Sequence, residues 1–179
     1  MNAKEIKSKV NALLEAGTPK SEVFQQLKGQ GVKDRKLAYS IAAHPNKYAC
    51  ELHAKKVNVI ITIMFIQALI VALLGYLIGV HYSLTAAWMW AGVLALIPLA
   101  FAYGFYNNYV GAYNAYILIS IAQFHKMFDG FMSSPISSSI AIAISISIIG
   151  FIWYVRHLLF PDFAFISPQK VKGQYVFSN

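Results

Sequence analysis

Apolar positions recur at helical spacing through the first 43 residues and then merge into runs of lipid length. Ile6, Val10, Leu13 and Leu14 share one face of a helix over residues 3–16, with Glu5/Lys9 as a supporting i,i+4 pair. Gly17 ends that helix. Thr18 as N-cap and Pro19 at the first helical position open a second one, which carries Val23, Phe24 and Leu27. Gly29-Gln30-Gly31 closes it, and a third helix carries Leu37, Ala38 and Ile41 as far as His44-Pro45. From Asn46 the helix resumes and runs into the first apolar stretch. Three short helices make a marginal core, so this head is expected to lean on the membrane, a partner or a second copy.

A bilayer core about 30 Å thick takes about 20 apolar residues in a helix, because backbone buried in lipid must bond to itself. Val57 to Val80 meets this requirement. Leu84 to Phe105 does too, with Pro98 as a kink site and Trp88 and Trp90 as interface anchors at one end. Ile136 to Phe160 supplies a further run, closed by Trp153, Tyr154, Arg156 and His157. Its Ile140–Ser147 portion alternates like a strand, but a lone strand cannot cross lipid, so a helix is predicted.

The stretch Tyr109 to Phe124 is shorter and carries Asn114 and Gln123, with Asn107 and Asn108 just before it. It is either a third span or a helix lying in the interface. Charge arbitrates. With four spans, one side of the membrane collects every Lys and Arg except Lys126; with three, the tail bearing Lys170 and Lys172 crosses over. The positive-inside rule therefore predicts four spans, about 57–80, 84–105, 107–125 and 137–157, with both termini cytoplasmic.

Composition sharpens this picture. Only 12% of the 179 residues are charged and the mean hydropathy is +0.52, against about 25% charged in an average soluble domain. Disordered, collagen-like and disulfide-stapled classes are excluded, and the single Cys50 permits neither an intramolecular disulfide nor a cysteine zinc cage. Residues 1–56 hold eleven of the fifteen basic residues and five of the seven acidic ones, while Val57 to Phe160 contains only Lys126, Asp129 and Arg156. No apolar run precedes Val57, so no signal peptide is expected. The expected organisation is an all-α integral membrane protein of the bacterial inner (plasma) membrane. It has a basic three-helix cytoplasmic head (1–45), a four-helix membrane bundle (46–160) and an aromatic cytoplasmic tail (161–179) that docks on the bundle mouth, the head or a partner edge.

Within the third span, Tyr109, Tyr113, Tyr116, Ser120 and Gln123 recur at spacings of 4, 3, 4 and 3 and share one helix face, with Asn107, Gly111 and Asn114 on another. Such a stripe is either helix–helix glue or the lining of a hydrophilic route or cleft. Glue is favoured, because no ionised group sits mid-membrane. Small-residue stripes at Ala68/Ala72/Gly75/Gly79, Ser137/Ala141/Ser145 and Ser139/Ala143/Ser147/Gly150 predict close helix seams or oligomer contacts.

In the head, Lys33, Arg35 and Lys36 form a candidate surface. The piece Ser21–Ala43 superficially resembles a DNA-binding helix-turn-helix, yet a basic flank is what any cytoplasmic segment shows, and nucleic acid is not expected as a partner. His44/Cys50/His53 is a weak match to any zinc spacing, and His81/His125/Asp129, which could meet as a metal or proton-sensing site, lacks a fourth ligand, so neither a metal nor a cofactor is predicted. No catalytic motif is present, and with two acids after residue 51 there are few general acids to use, so no enzymatic activity is predicted. The expected function is protein–protein binding, as an accessory, assembly, regulatory or immunity-type subunit. The expected partners are the lipid bilayer, a membrane or cytosolic protein and a possible second copy. The alternative is a small permease or channel formed by an oligomer around the tyrosine-rich third helix.

Overall fold

A computed structural model describes residues 3–129 and 134–178, and most of the described residues are helical. The order is α1 (Ala3–Glu15), α2 (Lys20–Leu27), α3 (Asp34–Ala42), α4 (Lys47–Val80), α5 (Leu84–Tyr106), α6 (Val110–Asp129) and α7 (Pro135–Leu159). Two short strands, β1 (Lys170–Val171) and β2 (Gln174–Tyr175), follow. Two compact units result. Residues Met1–Cys50 and His157–Asn179 form the first, and Glu51–Arg156 form the second.

In the first unit α1, α2 and α3 meet over Ile6, Val10, Val23, Phe24, Leu27, Leu37, Ala38 and Ile41. The chain turns out of α1 through Gly17 (φ +84°): the Gly17 and Thr18 amides donate to the Leu14 and Leu13 carbonyls. This is the Schellman closure that a left-handed glycine permits. The start of α2 differs from the sequence expectation. Pro19, with ψ 140°, occupies the cap position and no side chain caps the helix, so Thr18 is not its N-cap.

The tail completes this core. Lys172 and Gly173, both at positive φ, turn β1 back on β2, pairing Lys170 with Tyr175; positive φ at both central residues is what the type I′ turn of a two-residue hairpin requires. Tyr175 and Phe177 then lie on Phe24, with ring centroids 5.5 and 5.6 Å away, and Phe163 meets Tyr39 edge-on at 5.3 Å. Of the three docking places open to the tail, it takes the head.

The second unit is built from long apolar helices. By length and composition α4, α5 and α7 are each able to cross a membrane, and α6 adds a shorter apolar stretch, Val110–Phe124. The strand-like Ile140–Ser147 segment lies inside α7 and is helical, as backbone self-satisfaction demands. Large apolar side chains such as Leu69, Leu73, Trp88, Leu96, Ile136 and Ile140 point outward, as lipid-facing positions would.

The small stripe on α4 is a seam. A Cβ placed on Gly75 would stand 2.8 Å from the Trp90 carbonyl oxygen, and one on Gly79 would collide with the backbone of Ala86 and Ala87. Only glycine permits that approach of α4 and α5. Ser83 caps α5 by accepting from the Ala86 amide at 3.0 Å. At the other end Asn108 is left-handed (φ 51°), and the Asn108 and Tyr109 amides donate to the Phe105 and Gly104 carbonyls. The same Schellman closure thus folds α6 back on α5, with Gly104 facing Ala112.

Candidate functional site

Four aromatic rings bind α6 to α5. Phe105 is fully buried, 4.7 Å from the Tyr113 ring and 5.9 Å from that of Tyr116, and Phe101 meets Tyr116 edge-on at 5.3 Å. This seam divides the tyrosine stripe. Tyr109 lies before the first residue of α6 and is 55% exposed; Tyr113 is wholly buried in the seam. Asn114, on the neighbouring face, is buried as well, so the start of α6 is enclosed on two sides.

Beyond the seam the stripe opens onto a cleft of about 720 Å³. Tyr116, Ser120 and Gln123 form one wall, and Lys126 continues it. The facing walls are apolar, from Ile70, Leu74 and Ile78 on α4, Leu94 and Ile97 on α5, and Ile148 and Ile149 on α7. Its inner end is closed by a pair: Gln67 Nε2 donates to the Tyr116 hydroxyl at 3.0 Å, and that hydroxyl donates to Gln67 Oε1 at 3.3 Å.

No protein-family model, curated protein or solved structure matches this chain.

Gln67 is the residue whose place in the cleft periodicity does not announce. A signal existed: it is an amide deep inside the apolar run of α4, nine residues past Asn58 at the start of that run, where an unpaired polar group is costly. Lys126, isolated by charge in the sequence, turns out to continue the stripe. The remaining small stripes of α7 divide. Ser145 lines the cleft, whereas Ser139, Ala143, Ser147 and Gly150 are all exposed.

The head has its own polar node. Asp162 is buried, and its carboxylate accepts from Lys20 Nζ at 2.6 Å and from the Ser178 amide and hydroxyl. Its backbone carbonyl accepts from the Gln169 amide at 2.8 Å. One acid thus ties α2 to both ends of the tail. Lys33, Arg35 and Lys36 stand exposed at the start of α3. Among the described residues no group of three or more His, Cys, Asp or Glu side chains is placed to hold a metal. The side chains of His125 and Asp129 lie outside the described residues, and His81 lines a small surface hollow with Leu74, Leu77, Ile78 and Tyr82.

Proposed function

We propose that this chain is a four-span membrane protein with both ends on the cytoplasmic face, and that it acts by binding a protein partner through its head. The observation that carries this is the composite head, in which both ends of the chain share one core. A domain built from both ends needs an even number of crossings between them. Since α4, α5 and α7 are long enough to cross, α6 supplies the fourth; its apolar stretch Val110–Phe124 covers about 23 Å at 1.5 Å per residue, with Lys126 beyond it in the headgroup layer.

The tail covers the apolar face of α2, so what the head offers to the cytosol is the exposed basic start of α3. Lys33, Arg35 and Lys36 suit an acidic protein surface, for which charge complementarity sets partner choice and encounter rate. The second possibility, an oligomeric channel lined by the stripe, draws less support. Tyr113 and Tyr116 are 0% and 9% exposed and face the interior of their own bundle.

Photocrosslinking from position 36 in cells tests the reading. The expected result is one dominant protein adduct, reduced about tenfold by Lys33→Glu with Arg35→Glu, the scale of a lost charge-assisted contact. Crosslinks to lipid alone, or a protein adduct indifferent to the charge reversal, would overturn it.

A further inference from the structure

We infer that the cleft along α6 is a binding slot for one acyl lipid with an anionic phosphate headgroup. The inference rests on the four-span reading, because the lipid must reach the slot from a membrane leaflet.

Position and chemistry change together along the wall. Lys126 and Gln123 are exposed, Ser120 is half-buried and Tyr116 is buried, so burial rises steadily with depth. At 1.5 Å per residue the steps from Lys126 are about 4.5, 9 and 15 Å, so the wall is about half a hydrocarbon core deep. A cation at the mouth, donors one and two turns below it and hydrocarbon opposite is the order in which a phospholipid presents its own groups. Its phosphate meets the Lys126 ammonium. Its glycerol ester carbonyls accept from the Gln123 amide and the Ser120 hydroxyl, and one acyl chain lies against the apolar wall.

The floor fits the same occupant. Gln67 and Tyr116 satisfy each other, so the chain's end meets a closed hydrogen-bonded pair rather than a donor in need of a partner. The volume of about 720 Å³ falls in the range of about 300–1,000 Å³ usual for ligand pockets. One chain enters; any second chain stays in the bilayer.

Native mass spectrometry of the full-length protein in mild detergent tests this, after delipidation and add-back of defined lipids. Diacyl phosphatidylglycerol and its single-chain lyso form are the two anionic probes, and diacylglycerol is the uncharged control. One bound anionic lipid per chain is expected, with Lys126→Gln weakening it about tenfold, Lys126→Arg restoring it, and diacylglycerol binding no better than the Gln variant. Equal binding of both anionic forms is expected if one chain suffices; exclusive binding of the diacyl form would overturn the single-chain slot. Ser145→Phe, which fills the cleft from α7, should abolish the stoichiometric lipid.

Graded, unsaturable lipid adducts insensitive to Lys126 would mean an annular shell only and would overturn the proposal. So would competition by a copurifying protein helix. Labelling of a cysteine at position 134 with a membrane-impermeant maleimide separates the two readings: protection of that position on intact cells sinks the four-span reading, whereas labelling there without a bound lipid sinks only the slot.

Discussion

Asp162 looks unremarkable in the sequence, one of two acids in the last 128 residues, yet it holds the head together. Its side chain and that of Lys20 are 1% and 12% exposed. Breaking a buried pair from one side leaves the other charge without compensation and typically costs roughly 3–5 kcal/mol. Here the two Ser178 donors would also lose their charged acceptor. Asp162→Asn should therefore release the tail and expose α1–α3 in the intact protein. Hydrogen exchange checks this: amides of α2 and of residues 162–178 should lose protection together, while those of α5 remain unchanged. Lys20→Met should do less harm than Asp162→Asn, because the carboxylate keeps its Ser178 donors. If both variants leave exchange as in the wild type, the ion pair contributes little and the aromatic contacts on Phe24 carry the tail.

Glycines test how the helices meet. A Cβ on Gly79 would meet the α5 backbone, which cannot give way, whereas Gly92 and Gly150 have nothing within 4 Å of the position a Cβ would take. Gly79→Ala should lower stability in detergent by about 1–3 kcal/mol, the usual range for overpacking. Gly92→Ala and Gly150→Ala should be neutral or slightly stabilising, since Ala is the better helix former by about 1 kcal/mol. Thermal unfolding of the three variants decides it; equal losses would mean that the α4–α5 seam is not close. That seam was legible in part: small residues every fourth position predict a close approach, but the pattern is the same for a seam within the chain and for a contact with a second copy. The three short head helices and the helical state of the Ile140–Ser147 segment were legible for similar reasons of period and backbone satisfaction. The stripe was legible only as a face. Periodicity cannot tell that Tyr113 is closed off by Phe105 while Ser120 opens on a cleft, because that depends on where α5 and α7 stand. The tail was least legible. Tyr175 and Phe177 declare themselves apolar, but their partner Phe24 lies some 150 residues away, and no local pattern encodes such a pairing.

A head composed from both ends limits the paths that such a chain could take through a membrane. With three crossings, α6 lies along the cytoplasmic interface, α7 runs outward, and residues 160–178 end on the far side from α1–α3. Phe24, Tyr175 and Phe177 would then lose their cover and Asp162 its lysine. With four crossings the head closes, and fourteen of the fifteen Lys and Arg residues share one face, with Lys126 alone on the other. The proposed count is thus the one under which the head contacts and the charge bias are both accommodated. The two counts differ most sharply at Ser134, just before α7. It is extracytoplasmic in the four-span arrangement and cytoplasmic in the three-span one. Single cysteines at Tyr82, Asn107, Ser134 and Ser178, in a Cys50→Ser background, distinguish them with a membrane-impermeant maleimide on intact spheroplasts. Positions 82 and 134 should label directly, and 107 and 178 only after permeabilisation. Labelling of 178 with protection of 134 would remove α6 from the membrane and require the head to form between chains instead of within one.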